Sequence, residues 1–529
     1  MSADPTDSAH FSSRSAHAVP RCVAVIDVGA TSIRMEIAQI DGDGDIQTLT
    51  RLVRPIDLGK EAFTTRRFSR ASIEQTAAIL KSYRQVTREF GIDSTDQIRV
   101  VATSAVREAT NRLQFLDRVF IATGLQIQII DEAEVNWITY MGIQPHLNSN
   151  PELHAAKSLV VEVGGGSTEL LLIRSGNVLA SETYRLGAIR LAQLLETLGA
   201  PISKRRSLME SQIGRTVSQI RESVRVDMPV EVISIGGDIR FAAGLIKPDW
   251  DREGLVTLAL GKLERLTNQV IELDEDQLVR RFGLGFSEVE TFAPALLTYL
   301  LIGKAFGKKN IYVSDTNLRD GLLHEIAAEV SLIATFRNQI VRSATSLGRR
   351  FDFDEVFAKH TAELASRLFV LLQEEHQLDR RYEVVLHLGA LLHEIGYAIN
   401  DRSNHKHAMY IVRNSEIFGL AQREVLLTAL LTRYHRRASP QPSHEGYATL
   451  DLNHRVIVCK LAAILRLAIA LNASRSGRIK DICCQIEGNR VVINTPGISD
   501  VALEQLAIQQ NRALFEDVFG KSVLLRPTR

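Results

Sequence analysis

The chain has 529 residues, enough for three or four domains at roughly 150 residues each, and its 63 basic and 62 acidic residues leave a net charge of +1. That balance excludes a globally basic nucleic-acid binder, so any site for a polyanion must be local. With 45% hydrophobic and 24% charged residues the composition is that of a soluble globular protein, and no apolar run reaches the ~18 residues a membrane span needs. The first twenty residues, rich in Ser, Ala and His without an apolar stretch, read as a disordered tail over 1–20. Cys22, Cys459, Cys483 and Cys484 show no CxxC or Cys/His zinc spacing, which fits a reducing cytoplasm.

Residues 23–40 read as two β-runs joined by a turn of small residues, and 158–173 repeat the pattern. Asp27, Gly29 and Ser32 of the first hairpin reappear as Glu162, Gly164 and Ser167, each 135 residues later. A strand–turn–strand unit repeated at domain spacing predicts two related α/β lobes that aim one turn each into a shared cleft. Between the repeats, 72–90 has helical periodicity, 98–102 reads as a strand, Asn111 opens a helix that Gly124 closes, and 127–130 is a strand. A third strand-to-glycine junction follows at 230–238. From about residue 325 long helical segments take over, at 360–377, 382–395, 421–434 and 454–473. A hairpin at 481–494 turning at Gly488-Asn489, then a helix and a short strand, close the chain.

Glycine-rich turns let the backbone approach phosphate oxygens closely and present N–H groups to them. Hydroxyls of Thr31, Ser32, Ser167 and Thr168 add donors, and Asp27 and Glu162 at the strand ends are placed to hold a divalent cation through water. One such turn also reads as a tight hairpin and nothing more. Two matched turns point to a phosphate cleft.

These hairpins resemble the phosphate-1 and phosphate-2 loops of the actin/hexokinase-like superfamily, and Ile233-Ser-Ile-Gly-Gly-Asp238 resembles its third glycine motif. Val101-Ala-Thr-Ser-Ala-Val-Arg-Glu-Ala-Thr-Asn111, Gly164-Gly-Gly-Ser-Thr-Glu169 and Val313-Ser-Asp-Thr-Asn-Leu-Arg-Asp-Gly-Leu-Leu323 are together similar to the exopolyphosphatase/guanosine pentaphosphate phosphohydrolase family, a resemblance that runs over residues 22–529. It implies two actin-like (ribonuclease H-like) α/β lobes over 21–145 and 146–325, an all-α HD-like domain over 326–475 and a small α+β domain over 476–529. It further implies a cytoplasmic, magnesium-dependent hydrolase of the stringent response. Such an enzyme releases terminal orthophosphate from inorganic polyphosphate, or the 5′ γ-phosphate from guanosine pentaphosphate, and homodimerises. No membrane and no specific nucleic acid is expected as a partner. Carried onto this chain, Arg107 clamps the terminal phosphate with its planar fork, and Asp27 and Glu162 hold Mg²⁺. The phosphate-binding set is Gly29, Thr31, Ser32, Arg34, Gly164, Gly165, Gly166, Ser167, Thr168, Gly236 and Gly237.

Three residues depart from the family pattern. Where the family has Ser-Gly-x-Glu-Glu-Ala, this chain has Asp131-Glu-Ala-Glu-Val-Asn136, which puts Val135 at the catalytic-base position and Glu134 before it. Valine cannot accept a proton. Glu162 replaces an Asp, and Asp238 replaces a Thr beside the paired glycines. Glu134 and Glu169 are the candidates to orient the attacking water, with Glu132 a further acid to consider, although Asp131-x-x-Glu134 also reads as a helix capping box. Loss of the base would leave a feeble hydrolase, or a non-catalytic binder of polyphosphate or of guanosine penta- and tetraphosphate.

In the helical half, His360, His393-Glu394 and Asn472 resemble an HD phosphohydrolase skeleton with two of its acidic ligands replaced, so packed or hydrogen-bonded histidines are expected rather than a metal centre. Arg433, Arg436 and Arg437, with Arg380, Arg381, Arg475, Arg478 and Lys480, are candidates to line a polyanion path or to be a solvated face.

Overall fold

The computed structural model describes residues 20–199, 201–224, 229–252, 254–327 and 332–528. The tail expected over 1–20 lies outside them except for residue 20. The first sheet contains β1 (Arg21–Val28), β2 (Ser32–Ile40), β3 (Ile46–Pro55), β4 (Ile98–Ala102) and β5 (Ile127–Ile129), in the order β3-β2-β1-β4-β5. Short turns make β1, β2 and β3 an antiparallel meander, whereas β4 and β5 run parallel to β1 and need helical crossovers. Arg70–Glu89 and Arg112–Thr123 supply them.

The second sheet contains β6 (Lys157–Val163), β7 (Thr168–Arg174), β8 (Asn177–Tyr184), β9 (Val230–Ile235), β10 (Leu255–Ala259) and β11 (Asn310–Ser314), in the order β10-β11-β9-β6-β7-β8. Its β8-β7-β6-β9-β11 portion repeats the first sheet strand for strand, so the repeat extends from one hairpin to a whole lobe. β10, an antiparallel edge strand, is added to the second lobe only. Strands β1 and β6 sit at sheet centres, covered on both faces, which is why they read as nearly continuous apolar runs.

Beyond residue 332 the chain is helical, as expected, with boundaries a few residues from those predicted. The 360–377 prediction resolves into Glu355–Leu371 and Gln373–His376, the second ended by Gln377 in the left-handed region (φ 50°). Strands β12 (Cys483–Glu487), β13 (Arg490–Pro496) and β14 (Ser522–Thr528) form a third sheet, its hairpin turning at Gly488 with φ 58°. One hydrophobic core runs from Ile340 through Leu465 to Val491 and Leu525, so the third sheet shares its interior with the helices. Among the described residues no helix is long and apolar enough to cross a membrane.

The lobes meet through their turns. A Cβ on Gly165 would lie 3.1 Å from Ala30 Cβ and 2.7 Å from Ile189 Cδ1, and one on Gly166 would lie 2.6 Å from Phe63 Cζ and 2.8 Å from Ser104 Oγ. Only glycine permits this approach.

Candidate active site

The two turns have the same geometry. Gly29 N donates to Ser32 O at 3.0 Å, and Gly164 N donates to Ser167 O at 2.8 Å, equivalent bonds of the repeat. Each turn follows a strand whose carboxylate has a partner directly across the hairpin, where side chains on one face stand side by side. In the first lobe Asp27 faces Arg34, with Nη1 3.5 Å from Oδ2. In the second lobe Glu162 faces Glu169.

That exchange of arginine for glutamate sets the electrostatics. Burial, then the Glu162 charge, push Glu169 up to about 8, against a hydrogen bond from Ser167 Oγ. Burial also raises Glu162, partly offset by Thr139 Oγ1 donating at 3.2 Å. Asp238, at the start of the Gly237–Ile246 helix, is pushed up to about 6 by burial while accepting a 3.1 Å bond from Thr291 Oγ1.

A cavity of about 240 Å³ lies between the turns. Of the expected residues, Asp27, Gly29, Thr31, Arg34, Arg107, Glu162, Gly164, Gly165, Ser167, Glu169, Gly236 and Gly237 line it. Three do not. Ser32 is buried behind its turn, Gly166 is packed under Phe63 and Ser104, and the Thr168 hydroxyl donates to Leu186 O.

Glu134, expected as a candidate to orient the water, stands outside the cavity. Asp131 caps the Glu132–Asn148 helix through a reciprocal pair in which Glu134 N donates to Asp131 Oδ1 and Asp131 N donates to Glu134 Oε2, both at 2.9 Å. Locking Glu134 into the cap turns the next residue, Val135, toward the cavity. Glu132 is engaged with the clamp itself. Arg107 donates through Nη1 to Ile130 O at 2.9 Å and stands 3.3 Å from Glu132 Oε1 through Nη2.

Two further groups join the site. Glu288 lines the cavity and caps its own helix by accepting from Gly285 N at 2.9 Å; no motif announces it, because it arrives from a separate helix start. Arg319, 8% exposed, reaches behind the first turn, with Nη1 3.9 Å from Asp27 Oδ2 and Nε 3.5 Å from Glu36 Oε2. Its signal was present in the 313–323 segment.

Five carboxylates and two guanidiniums therefore line the cavity. Such a site accepts phosphate only with its acids neutralised. Asp27 is 5% exposed with Oδ1 lacking any hydrogen-bond partner, and Glu162 lines the same cavity. This donor set fits magnesium, which takes one or two protein carboxylates and completes its shell with water and phosphate.

The helical half assembles no comparable centre. Among the described residues no group of three or more His, Cys, Asp or Glu is placed to hold a metal ion. Asn472 Nδ2 donates to Phe357 O and Thr361 Oγ1, Glu394 pairs with Arg475 at 2.5 Å, and His393 and His435 rest ring against ring at 5.1 Å. Of the basic residues, Arg478 pairs with Glu504 at 3.1 Å and Arg436 donates to Asn404 Oδ1.

Comparison with known proteins agrees with this architecture. Residues 36–329 match the model of the Ppx/GppA phosphatase family, and residues 341–504 match the model of Ppx/GppA phosphatase domain III. Similar solved structures include the Ppx/GppA family member from Aquifex aeolicus, at 25% identity and TM-score 0.49 over 59% of this chain and 99% of that one. An exopolyphosphatase from Cytophaga hutchinsonii shares the fold at 20% identity and TM-score 0.53, again over 59% and 99%. With paired glycine turns closing on a carboxylate-lined cavity, and a family match across more than half its length, this chain belongs to the Ppx/GppA phosphatase family.

Proposed function

We propose that the chain binds the end of a phosphoanhydride chain in the cleft and hydrolyses its terminal phosphate. Inorganic polyphosphate is the leading substrate, and guanosine pentaphosphate the alternative. The observation that carries this reading is the convergence of both glycine turns, Arg34 and Arg107 on one cavity. Phosphoryl transfer asks a protein mainly for positioning and charge neutralisation, and these groups supply both. Asp27 and Glu162 are the residues we assign to Mg²⁺, which when bound sets positive charge against the phosphate oxygens.

Glu169 is assigned to orient the attacking water, because it lines the cavity and Glu134 does not. Water oxygen bonds to the terminal phosphorus, the bridging oxygen departs with its electron pair, and Glu169 takes the water proton. Raised to about 8, close to the working pH, Glu169 in its ionised form is a stronger base than an ordinary carboxylate, and it is this form that takes the proton.

The test is phosphate release from long-chain polyphosphate with Mg²⁺. Glu169→Gln is expected to lower the rate by ~10²–10⁴, and Glu134→Gln to leave it within a factor of two or so of wild type. Val135 in the cavity favours a second reading, a phosphate-chain binder without turnover. That reading stands instead if wild type binds polyphosphate but releases nothing, and Val135→Glu gains activity.

A further inference from the structure

A second cavity, of about 400 Å³, lies where the first turn of the Glu132–Asn148 helix and Ser181 of β8 meet the 413–426 segment of the helical half. Its lining mixes acids with Ser181, Asn414, Ser415 and Gln422, and the Asn414 amide and Ser415 hydroxyl spend donors on Tyr410 O and Ile411 O. Glu132 and Glu416 line it, and Glu182 is close enough for its charge to act on Glu416. Asn136, 2% exposed, also lines it; its Nδ2 donates to Thr183 Oγ1 at 3.2 Å, while its Oδ1 is buried without a partner. The one guanidinium on the wall, Arg413, is turned to Glu445 at 2.8 Å. Asp131 is already committed, accepting from Glu134 N and, through Oδ2, from Gln422 N at 2.7 Å. Glu416 has no ion-pair partner among the described residues. Loss of solvent in the pocket, then the Glu132 and Glu182 charges, push Glu416 up to about 7, the response of an acid that lacks a counter-charge.

The wall also carries an apolar group, Ile417, Phe418, Leu420, Val425 and Leu426. A bare metal ion suits this poorly, since no three carboxylates or histidines among the described residues converge on one point. A chain of methylenes carrying spaced ammonium groups suits it well. Its ammonium groups would meet Glu132, Glu416 and the Asn136 oxygen, and its methylenes the apolar part of the wall. We propose that this pocket is a binding site for a small aliphatic polyamine, separate from the phosphate cleft.

Whole-molecule attraction does not account for such binding, because the net charge is +1. The pocket adjoins the cleft, however, since Glu132 is also the partner of Arg107. A reporter is built in. Trp137 follows Asn136 and lies 6.0 Å from the Phe418 ring, and the other tryptophan, Trp250, can be replaced by Phe.

The experiment titrates spermidine into the full-length Trp250→Phe chain without phosphate or magnesium, followed by calorimetry and by Trp137 fluorescence. One-to-one binding is expected, weakened about tenfold or more by Glu416→Gln, the loss of one charged contact, and abolished by Glu416→Lys, which places a tethered ammonium there. The Glu416 side chain makes no hydrogen bond or ion pair among the described residues, so both variants keep the fold. Glu74→Gln, on a distant exposed helix face, is expected to change nothing. Equal weakening by Glu74→Gln, or displacement by sodium at matched ionic strength, overturns the proposal. Binding that survives Glu416→Gln but is lost in Asp238→Asn also overturns it, because the cation would then sit in the cleft.

Discussion

Positions 34 and 169 are equivalent in the internal repeat, and the chain places an arginine at one and a glutamate at the other. The first turn is therefore neutralised within its own hairpin, while the second concentrates negative charge and depends on a cation or on Arg107 across the cleft. Arg107 spends two N–H directions on Ile130 O and Glu132, which fixes its plane and leaves the rest of its fork for phosphate. Arg107→Lys keeps the charge and loses the fork. It is expected to weaken orthophosphate-chain binding by about tenfold, measured by calorimetry with tripolyphosphate, with little change in the melting temperature.

At the scale of the element, the Glu132–Asn148 helix is anchored by one residue with two tasks. Asp131 caps the helix through Oδ1 and holds the helical half through Gln422 N on Oδ2. Asp131→Ala is expected to cost about 1 kcal/mol from the cap alone, and more if the second bond counts, read as a lowered thermal midpoint. The helices beyond residue 332 carry a pH dependence of their own. Burial, reinforced at His387 by Arg337, lowers His387 and His393 from 6.5 to about 4. Between those values the unfolded chain takes up protons that the native state refuses. Their contribution to stability is thus complete above about pH 6.5 and lost as pH falls toward 4. The melting temperature is expected to drop across that window, and His393→Leu to flatten the drop. A wild-type curve with no slope there would contradict the assignment.

For the molecule as a whole, the cleft is held closed by contacts between lobes. Glu108, next to Arg107, receives both Arg190 and Arg185, the latter at 3.1 Å. Arg190 also donates through Nε to Gly166 O at 2.7 Å and lies 4.3 Å over the Phe63 ring. Lys60 of the first lobe meets Glu196 and Glu290 of the second at 3.5 and 3.7 Å. Arg190, bonded to the second phosphate turn through Gly166 O, thus ties that turn to the first lobe in two ways, through Glu108 and Phe63. Arg190→Ala is expected to open the cleft, seen as a larger radius of gyration in solution scattering, and to weaken phosphate-chain binding by about tenfold.

The repeat, the two lobes and the phosphate turns were legible in the sequence because they are local. A buried central strand must be apolar, a tight turn must be glycine-rich, and both patterns survive translation along the chain by 135 residues. The helical character after residue 325 was legible for the same reason, from periodicity alone, although the break after Leu371 was not. Position in three dimensions decided the rest. Whether Glu134 or Val135 enters the cleft depends on which way one helical turn faces, and the Asp131 cap settles it for valine. Glu288 and Arg319 reach the site from elements distant in sequence, and the pairing of Glu132 with Arg107 links residues 25 apart. The electrostatic character of the cavity, acidic although the chain is balanced, exists only where the lobes meet, because charges act by distance in space and not along the chain.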